Sequence, residues 1–294
     1  MLRVGVVLSG SGMSDGSEIH ESVLTLLALD RAGAQAIFMA PNKNQSEVVN
    51  HLTGQVSRET RNVLVESARI ARGQIRDIRE VRASDLDAVI MPGGWGAVKN
   101  LSDFCWNGEK CWIDGEVFRL LREMRAAKKP IGAICIAPVL LAKAFGSEKP
   151  RLTIGSDKGT AAALEKFGAR HVARCVNEIA VDENLRLVTT PAYMLAQGIA
   201  QAASGIERLV GEVIRLAERQ IADSAAARVV SRGRKGQAAD SAISRVPARA
   251  GRAQPADSAI AKIAARSSRQ ASRATRVGGR RAARPNTRRR AVRA

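Results

Sequence analysis

The amino-acid sequence predicts an α/β fold: a doubly wound, mostly parallel sheet sandwiched by helices. Three observations predict it. Short valine- and isoleucine-rich runs alternate with amphipathic helical patterns up to about residue 220. The first 40 residues read strand, helix, strand, the repeating unit of a parallel sheet. The strand runs are apolar throughout, as strands covered on both faces are.

The elements follow in order. Leu2–Leu8 (LRVGVVL) is a buried strand closed by the turn Ser9-Gly10-Ser11-Gly12. That turn has neither GxGxxG spacing nor a Gly-Lys-Ser/Thr, so it is not a phosphate loop. Asp15 or Ser17 is placed to cap the next helix, whose Ile19, Val23, Leu26, Leu27 and Leu29 recur at helical spacing. Ala32-Gly33-Ala34 ends that helix and Gln35–Ala40 is the next strand. Residues 41–87 are less regular, with a loop and short helix over Asn42–Leu52 and a helical pattern over Ser57–Arg72. Their length places them beside the carboxyl edge of the sheet, where functional loops gather. Asp87–Met91 is a third strand and runs into Pro92-Gly93-Gly94-Trp95-Gly96. Asn100–Trp112 reads as a loop or short helix, and Asp114–Ala127 as an amphipathic helix through Val117, Leu120, Leu121 and Met124. Lys129–Pro138 (KPIGAICIAP) is a strand that ends at Cys135 and turns into an apolar helix, Val139–Phe145. Then come a strand at Arg151–Ile154, a helix at Thr160–Phe167 and short strands at His171–Arg174 and Ile179–Val181. A strand at Leu185–Thr190 and a long helix at Ala196–Glu218 close the domain.

Charge divides the 294 residues in two. The net charge is +19, and residues 221–294 hold 19 Lys and Arg against only Asp223, Asp240 and Asp257. The expected organisation is a near-neutral globular domain over 1–220 and a disordered Arg/Ala/Ser-rich basic tail over 221–294. Ala-Asp-Ser-Ala recurs in the tail at 222–225, 239–242 and 256–259, a 17-residue repeat. With many arginines and no aromatic residue, the tail offers nonspecific nucleic-acid contact by counterion release but no base stacking. An anionic membrane surface, an acidic partner or no function are the alternatives. Equal DNA retention at low salt by full-length and 1–220 protein would exclude the nucleic-acid reading. The four cysteines are irregularly spaced, which suggests neither a disulfide framework nor a zinc site. No signal peptide is read at the start, and no apolar run approaches the roughly 20 residues of a membrane span. A cytoplasmic, reducing location is the expectation, and it suits a working thiol.

The chemistry-bearing residues collect where strands end. A strand that ends in a nucleophile and turns directly into a helix is a nucleophile elbow. Gly132, Ala133 and Ala137 supply small flanking residues, and Pro138 fits a first helical turn. The new helix aims its amides at Cys135, which favours the thiolate. A buried structural thiol is the plain alternative. Gly93-Gly94 can turn backbone amides into a cleft as an oxyanion site needs, or it is an ordinary turn. Glu18 and Glu21 lie three apart on one helix face. Either one is a buried acid beside the thiol, its pKa raised so that it holds a proton near neutral pH, or both serve the helix dipole.

The stretches MLRVGVVLSGSGMSDGSEIHESVLTLLALDRAGAQ, NHLTG, ETRNVL, MPGGWGAVKNLSDF, CIAP and VTTPAYMLAQGIAQAASGIERLV resemble the ElbB family of isoprenoid biosynthesis glyoxalases. That family sits in the PfpI and Parkinson-associated deglycase superfamily, with a class I glutamine amidotransferase-like fold. The resemblance covers about Met1–Gln220. It implies Cys135 as nucleophile, Glu21 as the helix glutamate with Glu18 its neighbour, and the backbone amides of Gly94 and Ile136 as the oxyanion hole. It leaves His20 as a candidate pocket residue. Peptidase-like members carry His after the nucleophile, where this chain has Ile136, and amidotransferases need a late His-x-Glu that is missing here. A peptidase or glutaminase is therefore disfavoured. Ser11 stands where relatives often have Cys. The implied activity is a lyase-type, glutathione-independent glyoxalase acting on a small reactive aldehyde with no cofactor or metal, or its sister protein deglycase activity, in a chain whose relatives are often homodimers. The alternative is a non-enzymatic redox or carbonyl sensor, or a partner-binding protein, with Cys135 as the switch.

Overall fold

The computed structural model describes residues 1–243, with side chains to residue 227. The third tail repeat and the rest of the basic tail, 244–294, lie outside the described residues, as does the disorder expected of them.

The chain begins β1 (Arg3–Val7), α1 (Ile19–Arg31), β2 (Gln35–Ala40). An antiparallel hairpin follows, β3 (Val48–Asn50) and β4 (Gln55–Ser57), then α2 (Val63–Ile70) and β5 (Ile75–Asp77). Next are β6 (Ala88–Met91), the short α3 (Trp95–Lys99) and α4 (Phe104–Asn107), and α5 (Gly115–Ala126). β7 (Ile131–Ile134) leads into α6 (Pro138–Phe145). Then come β8 (Arg151–Leu152), α7 (Lys158–Lys166), β9 (Arg170–His171), β10 (Ala180–Asp182), β11 (Leu187–Thr190) and the long α8 (Ile199–Ile243).

Seven strands form one sheet in the order β10-β11-β7-β6-β1-β2-β5, parallel except for β10. The chain winds outward from β1 to β2 and β5, returns to β6 on the other side of β1, and winds away through β7 to β11. The switch point of this doubly wound sheet is the β1/β6 boundary, where such folds open a crevice at the strands' carboxyl ends. The register pairs Val4 with Ala88 and Val6 with Ile90 across that boundary.

Alternate strand residues feed two cores. Val7, Val89, Met91 and Ile131 pack with Leu120, Met124, Leu140 and Phe145 from α5 and α6. Val4, Val6, Ile90 and Ile134 pack on the opposite face with Leu29 of α1 and Ile206, Val213 and Leu216 of α8. Because both faces are covered, the strands carry apolar residues at successive positions.

Several expectations are corrected. Residues 41–62 hold the β3–β4 hairpin rather than a loop with a short helix, and helix α2 starts only at Val63, capped by the Asn62 side chain. Neither Asp15 nor Ser17 caps α1; the Glu18 side chain does, accepting from the Glu21 N–H at 2.6 Å. Asp15 instead accepts from Val49 N–H at 2.8 Å, and Ser17 bonds Ser9. The buried face of α1 is also polar: Glu21, Ser22 and Thr25 lie beneath it, while Ile19, Val23 and Leu27 are 44%, 50% and 40% exposed. Ser22 and Thr25 are tolerated there because each hydroxyl donates to the carbonyl four residues back, at 2.7 Å. Finally, α8 does not stop near Glu218 but runs to Ile243, into the stretch expected to lack structure. Alanines at 222 and 225–227 give that extension high intrinsic helix propensity despite its few apolar side chains.

Candidate active site

Three strand ends meet at the switch point, and each delivers one part of the site. β1 leads into the loop that starts α1, with Glu18 and Glu21; β6 ends at Gly93-Gly94; β7 ends at Cys135. Backbone bonds join the first two loops: Glu18 N–H donates to the Gly93 carbonyl at 3.0 Å and Trp95 N–H to the Met13 carbonyl at 2.8 Å. Asn100 anchors the first loop from beneath. Its buried amide donates to the Ser9 and Asp15 carbonyls, both at 2.8 Å, and its oxygen accepts from Ser46 N–H at 2.9 Å.

Cys135 sits at φ +60°, a left-handed conformation that a non-glycine residue adopts at a cost. The surroundings hold it there: Cys135 N–H donates to the Thr190 carbonyl at 3.0 Å, and Pro138 opens α6 immediately after. The sulfur is thereby turned toward a cavity of about 440 Å³, and Cys135 itself is only 8% exposed.

Glu21 is fully buried beside it. One carboxyl oxygen accepts from Gly93 N–H at 2.9 Å, the other from Tyr193 N–H at 3.2 Å, and the carboxyl hydrogen-bonds the Cys135 thiol. Burial, reinforced by the nearby Glu18 charge, pushes the Glu21 carboxyl up to about 7, against the two amides that pull it down. The proton-holding acid expected from sequence is therefore Glu21. The thiolate that the helix field favours at Cys135 is opposed by its surroundings. Burial, then the Glu21 charge, pushes the thiol well above its ordinary range, while Gly94 and Ile136 N–H groups at the sulfur favour the charged form and lose. The helix field read in the sequence acts against that desolvation.

Gly93 and Gly94 are glycines for steric reasons. A Cβ on Gly93 would lie 2.6 Å from Cys135 Cβ and 2.7 Å from Glu21 Oε2. Gly94 has φ +90°, and a Cβ there would lie 2.4 Å from Glu18 N. Gly93→Ala is expected to push the thiol and the carboxyl apart. It should cost about 1–3 kcal/mol of stability and roughly tenfold or more in turnover, read by thermal melts and kcat/KM on one preparation.

Sequence reasoning placed Cys135, Glu21, Gly94 and Ile136, and the fold brings all four together. Glu18 lines the cavity; His20 does not, but its Nδ1 lies 2.8 Å from the hydroxyl of Tyr193, which does. Tyr193 was missed. It lies far along the chain from Glu21, and only the tertiary fold brings its amide and hydroxyl to the site. Met13, Trp95 and Met194 complete the apolar wall. Among the described residues, no group of three or more His, Cys, Asp or Glu is placed to hold a metal ion, and no helix is long and apolar enough to cross a membrane.

Residues 11–197 match the sequence profile described as the DJ-1/PfpI family. The chain belongs to the DJ-1/PfpI family. Within it, the chain is 44% identical over 224 residues to the ES1 protein homolog, mitochondrial, of Rattus norvegicus, covering 73% of this chain and 84% of that one. It is equally similar, with 73% and 83% covered, to the glutamine amidotransferase-like class 1 domain-containing protein 3, mitochondrial, of Homo sapiens. A solved isoprenoid biosynthesis protein with an amidotransferase-like domain from Ehrlichia chaffeensis is 37% identical, covers 74% of this chain and 99% of its own, and superposes with a TM-score of 0.69. The class I glutamine amidotransferase-like fold is thus that of the family. The cytoplasmic expectation is corrected: the rat, human and Danio rerio relatives are all named as mitochondrial, which points to a mitochondrial rather than cytoplasmic setting. The need for a reduced thiol excluded oxidising compartments and could not choose among the others.

Proposed function

We propose that this DJ-1/PfpI family member is a glutathione-independent glyoxalase of the ElbB type. The observation that carries the reading is the buried Cys135–Glu21 pair, with Glu21 titrating at about 7. A base with that pKa is matched to moving a proton at neutral pH.

The chemistry runs as follows. Glu21 as carboxylate takes the thiol proton while Cys135 sulfur bonds the aldehyde carbon, and the new oxygen is held by the Gly94 and Ile136 amides. The adduct is a hemithioacetal. Glu21 passes the thiol's proton to the new oxygen and, a carboxylate again, removes the hydrogen on that carbon. It delivers this proton to the neighbouring carbon of the ene-diol while the first oxygen's hydroxyl proton passes to the second oxygen, which converts the adduct to a thioester of the 2-hydroxy acid. Water cleaves the thioester, freeing glycolate or lactate and the thiol. No net oxidant or reductant is consumed.

The cavity supports an uncharged substrate. Its charged lining residues are Glu18 and Asp157, with no Lys or Arg among the lining residues. It also exceeds what a three-carbon aldehyde fills, which leaves room for an aldehyde adduct on a protein side chain, the deglycase form of the same chemistry. The test is product formation by the purified full-length chain without glutathione. Glyoxal and methylglyoxal should yield glycolate and lactate, and anionic glyoxylate should be handled roughly tenfold more slowly or worse. Stoichiometric modification of Cys135 with no turnover above solvent would sink the enzyme reading in favour of a sensor.

A further inference from the structure

We propose that the Tyr193 hydroxyl donates a hydrogen bond to the second carbonyl oxygen of a bound 1,2-dicarbonyl, with His20 Nδ1–H donating to Tyr193 Oη and fixing its direction. This rests on the glyoxalase reading and supplies what that reading lacks. Once the aldehyde carbon is bonded to sulfur, its own oxygen is served by the Gly94 and Ile136 amides. When Glu21 removes the carbon-bound hydrogen, the electron pair moves into a carbon–carbon double bond and negative charge develops on the neighbouring oxygen. A group must face that second oxygen.

The cavity offers few candidates. Glu18 and Asp157 are acceptors when ionised. Thr160 donates its N–H to Asp157 Oδ2 at 2.7 Å at the start of α7, and its hydroxyl lies beside the same carboxylate. The other neutral donors on the lining are the Trp95 indole N–H and the Tyr193 hydroxyl, and of these the hydroxyl belongs to the residue that also holds Glu21. Its position is determined from two sides. The backbone N–H of Tyr193 holds Glu21 at 3.2 Å, placing the residue next to the base that moves the proton. The hydroxyl lies 2.8 Å from His20 Nδ1, with the two rings tilted at 46°. If Nδ1 carries the proton, the histidine occupies a lone pair of Tyr193 and leaves its O–H directed to the cavity. Burial and the charges of Glu18 and Glu21 push the phenol's pKa up, so it remains a donor. Tyr193 keeps its proton through the cycle and only stabilises charge. Its role also selects substrate: a simple aldehyde has no second carbonyl for it to hold.

The test uses full-length wild-type, Tyr193→Phe, His20→Asn and His20→Ala proteins with methylglyoxal. Phenylalanine keeps the backbone bond to Glu21, so the fold and the thiol–carboxyl pair should persist. Tyr193→Phe should lower kcat roughly 10- to 100-fold with KM within about threefold, while the pH profile of Cys135 alkylation stays at the wild-type position. His20→Asn, whose amide can sit where Nδ1–H does, should keep most activity, and His20→Ala should lose several-fold. Wild-type turnover with a Tyr193→Phe rate within twofold of it would overturn this proposal and leave the glyoxalase reading standing. A loss in Tyr193→Phe accompanied by a shifted alkylation profile would overturn it as well, since the residue would then act only through Glu21. Absence of turnover in wild type would remove both.

Discussion

Replacing Cys135 by serine should reduce glutathione-independent turnover of glyoxal and methylglyoxal on the order of 10³-fold or more, with little change in melting temperature. The residue sits at φ +60° between β7 and α6, and serine fits that backbone and nearly that volume. What changes is proton affinity. Glu21, at about 7, can take a proton from a thiol as the sulfur attacks, but a serine hydroxyl is far too weak an acid for it. Product formation by NMR with peptide-resolved alkylation checks this. Label should vanish from position 135 and persist at the exposed Cys105 and Cys175. A serine variant that still forms lactate within tenfold of wild type would remove Cys135 from the chemistry.

Glu21→Gln should show two effects that separate with pH. Turnover should fall roughly 10²- to 10⁴-fold, the usual range for losing a general base. In wild type the thiol–carboxyl pair releases its first proton near 7, so alkylation of Cys135 should rise through that pH. In the variant the first proton must come from the buried thiol itself, and the alkylation limb should move well upward. Stability should respond oppositely. The native carboxyl holds its proton to about 7, whereas an unfolded one releases it near 4.5. The stability that this protonated group contributes is present in full below pH 4.5 and is lost as pH climbs to about 7, a change of roughly 3 kcal/mol. Wild type should therefore melt progressively lower than its own acidic optimum across that window, and the glutamine variant should lack this component. The amide pays a pH-independent penalty of about 1–3 kcal/mol, because its NH₂ must face either the Gly93 or the Tyr193 N–H. Parallel wild-type and variant stability curves between pH 4.5 and 7.5 would refute the assignment of the proton to Glu21.

The fold was legible because its signals are local. Apolar runs marked β1, β2, β6 and β7, and glycines marked the turns that end at the site. The Cys135 elbow was legible for the same reason: a strand, a cysteine and a proline-started helix are contiguous. The failures share a cause as well. The β3–β4 hairpin is held partly from outside, by bonds such as Val49 N–H to Asp15, and its own residues carry little strand pattern. The face of α1 was misjudged because Ser22 and Thr25 bury polar groups that satisfy themselves within the helix, which hydrophobic spacing cannot register. The helix field that favours a thiolate at Cys135 is visible in sequence, and the burial and Glu21 charge that oppose it are not. Tyr193 brings an amide to Glu21 and a hydroxyl to His20 from the loop after β11, 172 residues along the chain from Glu21, and nothing in PAYM announces either contact.

Both oxygens of Glu21 are gripped by main-chain amides, one from residue 93 and one from residue 193. Peptide groups do not mutate. The placement of the acid at the heart of the site is thus written largely in the path of the backbone, while Met13, Trp95 and Met194 shape the space above it with side chains. Acceptance of a new aldehyde and retention of the proton-transfer machinery are consequently separable traits. A lineage can drift through many preferences for what enters the cavity without rebuilding the acid that works on it.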